Sequence, residues 1–128
     1  MTIHEDVTAY LQTVTALTAL VGTRIMTPDL KQGTALPAVA FWRVTETPLH
    51  VRSIMRPRFQ CDCWADDPLE CEQVADALTS ALDGFHGQMG SRHVVSLVVN
   101  TMGPRQDPVT GFYRSTIDTR LIYGRPVS

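Results

Sequence analysis

The sequence predicts an α+β fold: a largely antiparallel or mixed β-sheet with two main helices on one face. Three observations carry that prediction. Arg58–Ala65 alternates, with Phe59, Cys61 and Cys63 on one side and Arg58, Gln60, Asp62 and Trp64 on the other, the period of a half-buried strand. Directly after it, Asp67, Pro68 and Glu70 spell a helix start: an N-cap, a proline where its missing N–H costs nothing, and a capping-box glutamate. Finally, His93–Thr101 and Phe112–Tyr123 are β-rich runs joined through loop-forming residues, which reads as a second hairpin. The expected order is helix, strand, strand, strand, helix, strand, strand, in one domain spanning residues 1–128.

Taken in order, Thr2 and Glu5 form a capping box, and Ile3, Val7, Tyr10, Leu11 and Val14 mark one face of a first helix. The β-branched Thr13, Val14 and Thr15 weaken it, so a break is expected there, before a short piece ending at Gly22. Thr23–Met26 reads as a short strand, stopped by Pro28. Ala38–Thr45 follows Pro37 as a second strand with apolar bulk on both faces: Ala40, Trp42 and Val44 on one, Val39 and Phe41 beside Arg43 on the other. Such a strand is covered on both sides, by a helix or by another subunit. The connection Glu46–Pro57 carries Leu49, Val51, Ile54 and Met55, which mark either a contact surface or flanking strands longer than drawn. In the central helix Cys71, Val74, Ala75, Leu78, Ala81 and Leu82 share the inner face, and Gly84 closes it. GFHGQMGSRH reads as turn chemistry and MGPRQDPVTG as a loop.

Composition is that of an ordinary globular chain, 44% hydrophobic and 19% charged over 128 residues, with a formal charge of −2 that gives no footprint for nucleic acid or an anionic membrane. Lys31 is the only lysine, so arginine supplies ten of eleven basic residues; arginine suits protein contacts, and a GC-rich source would give the same bias. The acidic start MTIHEDV lacks the pattern of a secretory signal, and no apolar run approaches the roughly 20 residues needed to span a bilayer. With Cys61, Cys63 and Cys71 on core faces, the cysteines read as small apolar residues in a reducing cytosol.

Catalytic grammar is sparse. Cys61, Cys63 and Cys71 with His86 or His93 could make a zinc set on paper, and Cys61 with His93 a nucleophile pair, but core packing explains the cysteines. Asp66, Asp67 and Glu70 read as helix-start carboxylates rather than an acid/base cluster. The glycines at 84, 87 and 90 lie between a helix and a strand, the reverse of a phosphate-binding loop. No nucleophile motif is present, and the expectation is a non-enzyme with no catalytic residue, cofactor or metal.

The ordered set ALTALVGTRI, LPAVAFWRV, RPRFQCDCWA, DDPLECEQVADALTSALDGF and DPVTGFYRSTIDTRLIY resembles the tail-completion or tail-terminator proteins of long-tailed bacteriophages and phage-like particles, from about Ile3 to Tyr123. Val14 and Thr15 stand where such proteins often break the first helix with Asp-Pro. The resemblance implies a structural virion protein at the tail–neck junction, assembled in the bacterial cytoplasm. It would form a ring, commonly of six copies, at the head-proximal end of the tail tube, ending tube growth and joining the tail to the neck. Its partners would be itself, the tail-tube protein and a neck or head–tail connector protein; DNA would pass through the lumen unread, and no membrane is involved. Another connector subunit of the same particle is the nearest alternative. A closed ring needs one patch of a subunit to meet a different patch of the next. Phe41, Trp42, Leu49, Val51, Ile54 and Met55 are the apolar candidates, with Arg43, Arg52, Arg56, Arg58 and Arg114 as polar anchors.

Overall fold

The computed structural model describes residues 2–46 and 54–124. The first helix, α1 (Ile3–Leu11), starts with the reciprocal cap: the Glu5 N–H donates to the Thr2 hydroxyl and the Thr2 N–H to the Glu5 carboxylate, each at 3.1 Å. It ends at Gln12, and α2 (Thr15–Val21) restarts after Val14, so the break falls where the β-branched residues place it. Two short and two longer strands follow: β1 (Ile25–Met26), β2 (Ala38–Glu46), β3 (Ile54–Met55) and β4 (Pro57–Ala65). Then come α3 (Pro68–Leu82), β5 (Phe85–Met89), β6 (Arg92–Gln106) and β7 (Tyr113–Gly124). Asp67 caps α3 by accepting the Glu70 N–H at 2.9 Å, and Gly84 takes the left-handed φ of 74° after its last turn.

The sheet runs β1-β2-β4-β7-β6-β5, with β3 pairing the end of β7; among the described residues only β1–β2 is parallel. The described helices α1, α2 and α3 lie on one face. Inward residues of β2, β4, β6 and β7 (Val39, Phe41, Phe59, Cys61, Val94 and Ile117) join Val7 and Leu11 of α1, Leu17 of α2, and Val74 and Leu78 of α3 in one core. The Tyr10 hydroxyl ties α1 to α3 by donating to the Ala81 carbonyl at 2.7 Å. Among the described residues no helix is long and apolar enough to cross a membrane.

Three expectations are corrected. Phe85–Met89 is a strand rather than turn chemistry, because Phe85 and Met89 point inward and a turn at Gly90–Ser91 lets it pair with β6. Strand β6 does not stop at Thr101 but continues through Met102–Gln106 beside β7, with shifts in register between Val98 and Asn100 and between Met102 and Arg105 that absorb Gly103 and Pro104. Of the two readings left open for Ile54 and Met55, the structure gives strand pairing, opposite Gly124 and Tyr123, with Met55 packed on the core. The first strand is also shorter than Thr23–Met26.

Candidate assembly surface

Since side chains alternate along each strand, the residues that do not enter the core stand together on the opposite face, where no described helix lies. Trp42 comes from β2, Arg58, Gln60, Asp62 and Trp64 from β4, and Arg114, Thr116, Asp118 and Arg120 from β7. Strand β6 adds Val95, Leu97, Met102 and Arg105. Leu97 is 46% exposed, Met102 51%, and Val99, the extra residue of the β6 bulge, 53%. An aliphatic run so open, on a sheet with a complete core on its other side, is surplus to the fold of the subunit.

Polar order is built into the same face. The buried Asp62 carboxylate accepts the Thr116 hydroxyl at 2.8 Å, and Thr116 in turn accepts Arg105 Nη2 at 2.7 Å. Arg114 lies 3.6 Å from Asp62 and holds its guanidinium 5.2 Å above the Trp64 ring. Burial pushes the Asp62 carboxyl up, and Thr116, Arg114 and Arg105 pull it back only in part. Two arginine pairs sit directly opposite one another across strands: Arg58 faces Arg120, and Arg105 faces Arg114. Like charges in that position destabilise a sheet. Asp62 answers the second pair. The first has no ion-pair partner among the described residues. Arg120 donates to the Arg56 carbonyl at 2.8 Å, while Nε of Arg56, Arg58 and Arg114 and Oδ1 of Asp118 are buried without a hydrogen-bond partner.

The structure separates the sequence candidates. Trp42, Arg58 and Arg114 stand on the uncovered face. Phe41 does not; it is fully buried in the core, its ring 6.1 Å from that of Phe59, so it is no surface anchor. Arg43 is exposed on the helix side of β2, where its charge, after burial, lowers the pKa of His4. Ile54, Met55 and Arg56 are half-buried along the β3–β7 pairing, and Leu49, Val51 and Arg52 lie outside the described residues. Sequence reasoning missed Arg105, Arg120, Leu97 and Met102. The alternation of Val95 and Leu97 against Val94 and Ser96 was the available signal for the aliphatic run; the arginine pairs required the register.

The cysteines and the two histidines of the zinc set, His86 and His93, fall on opposite sides of the sheet. Cys61, Cys63 and Cys71 are buried under the helices, whereas His86 and His93 alternate onto the uncovered face, so the sheet divides the zinc set and the Cys61–His93 pair. Burial pushes the Cys61 thiol up to about 12 and Cys63 well above its ordinary value; Cys71 is raised too, its sulfur 3.2 Å from both Ser115 Oγ and the Cys63 carbonyl. The folded protein is therefore expected to leave all three thiols unreacted in a chromogenic disulfide titration at pH 8, and to release three per chain on denaturation. A fast-reacting thiol in the folded state would restore the nucleophile reading.

Residues 5–124 match the family described as tail completion protein gp17. No curated protein matches the chain. Among solved structures, a chain of the virion of a native gene transfer agent (GTA) particle shares its fold, with a TM-score of 0.72 over 91% of this chain and 90% of that one at 16% identity.

Proposed function

Since the chain belongs to the tail completion protein gp17 family, a family of structural tail proteins, we propose that it acts as a ring-forming tail terminator. Copies of this protein, as one tail-terminator-like domain each, close a ring of about six at the head-proximal end of the tail tube. The ring stops addition of tube subunits and offers its other side to a neck protein. It works by contact, without catalysis or cofactor, in the virion at the tail–neck junction, and DNA crosses its lumen without being read.

One observation carries this reading: a sheet with a complete core on one face leaves aliphatic residues and under-partnered arginines on the other. Self-association would cover them, and Trp42, Arg56, Arg58 and Arg114 are the contact residues on the described chain, with Leu49, Val51 and Arg52 as further candidates. The test is native mass measurement of the purified protein with negative-stain imaging, alone and with the tail-tube protein of the same particle. Annular particles, or tubes capped at one end, are expected. A monomer at every concentration, with tubes that keep growing in its presence, would sink the proposal.

A further inference from the structure

The region around α3 and the uncovered sheet face carry opposite charge. From Asp66 to Ser91 the chain contains six carboxylates and no lysine or arginine. Asp67 is committed to the cap of α3, and Asp83 accepts the Val98 N–H. On the outward side of α3, however, Leu69, Glu72, Gln73 and Asp76 are all exposed and follow the i, i+3, i+4, i+7 spacing of one stripe, with Leu69 70% exposed at its head. Across the subunit, the uncovered sheet face holds Arg58, Arg105, Arg114 and Arg120 against only Asp62 and Asp118.

We propose that the outward stripe of α3 on one copy docks on the uncovered sheet face of the next, with Glu72 and Asp76 set against the Arg58–Arg120 pair and Leu69 against the aliphatic run of β6. This rests on the self-association reading above and gives it its two patches. The complementarity is specific in kind. Two arginines held opposite each other, with Asp118 the next residue along the face but in no ion pair with either among the described residues, leave a net positive spot, and α3 presents two carboxylates one turn apart. Because α3 and the uncovered face lie on opposite sides, the contact is head-to-tail, the heterologous kind that generates a ring when the rotation closes. A nucleic-acid phosphate would fit the arginines but not their setting, where Asp62, Asp118, Leu97 and Met102 are interleaved with them.

Reciprocal charge exchange tests this. Glu72→Lys with Asp76→Lys, at exposed helix positions that leave the fold intact, is expected to weaken self-association by about a hundredfold or more, as is Arg58→Glu with Arg120→Glu. Mixing the two double variants is expected to restore assembly with alternating subunits, since each then meets its opposite charge on both sides; native mass spectrometry of one variant labelled heavy reads the alternation. Should both variants assemble as the unaltered chain does, the interface lies elsewhere and this inference fails while the ring stands. A monomeric unaltered chain, even with tail-tube protein present, defeats the ring reading itself. If Arg58→Glu with Arg120→Glu assembles normally but loses retention of duplex DNA, the face serves nucleic acid and the inference is overturned. Circular dichroism of each variant checks folding, and the helix variant decides the matter even if the sheet variant unfolds.

Discussion

Phe41→Ala is expected to destabilise the folded chain by about 3–5 kcal/mol, a large share of the roughly 5–15 kcal/mol that holds a domain together. The ring is fully buried, stacked 6.3 Å from His4 and tilted against Phe59 at 6.1 Å, so truncation leaves a cavity between β2, β4 and α1 that close neighbours cannot fill. Trp42→Ala, one residue along, should cost only about 1 kcal/mol, in line with the smaller apolar area it keeps from water, because its side chain stands half-buried on the far side of the sheet. Its cost should fall on assembly. Urea unfolding of both variants, followed by native mass at one concentration, separates the two roles. Equal losses of stability would mean that the faces of β2 are wrongly assigned.

Asp6→Asn is expected to destabilise by about 1.5–3 kcal/mol, the worth of a hydrogen bond to a charged group, and to remove part of the acid sensitivity of the fold. Asp6 is fully buried at the junction of α1 with the β5–β6 turn. One carboxylate oxygen accepts the Ser91 N–H and hydroxyl at 2.9 Å each, and the other accepts Arg92 Nε. Gly90 takes a φ of 53° there, and a Cβ on it would collide with Asp6. Burial alone would raise the Asp6 carboxyl, but the Ser91 N–H, Arg92 and the Ser91 hydroxyl together hold it below the ordinary value. A depressed folded-state pKa gives stability that is full above the unfolded-state value of about 4 and drains away as pH falls through the folded one. Stability curves of the parent and the variant should therefore converge toward acid. A constant gap from pH 7 down to pH 2 would show that the bonds to Asp6 owe nothing to its charge.

The strand-to-helix unit at residues 57–82 was legible because its signals are local: alternation, an Asp-Pro start, and helical spacing of Cys71, Val74 and Leu78. So was the break at Val14. What stayed hidden depends on partners distant in sequence. Gly87 weakens the pattern of β5, a strand only because α1 and β6 receive it. Pro104 argues for a loop unless a register shift is there to hold it. Strand β2 is apolar on both faces, and nothing in its own residues says that the Phe41 side is the core and the Trp42 side the surface. The Arg58–Arg120 opposition cannot be seen until β4 and β7, some sixty positions apart, are laid in register.

The sheet order has a consequence for when the subunit becomes competent. Strand β7 is the latest of the seven to leave the ribosome, yet it lies between β4 and β6 and joins the two halves of the sheet. Until residues 113–124 emerge, β4 and β6 expose edges with no mate, and pairing across that gap closes loops of long sequence separation. A nascent chain therefore has no finished sheet face until β7 has paired with both neighbours, and the face opposite the helices is set by the last strand of the sheet to be made.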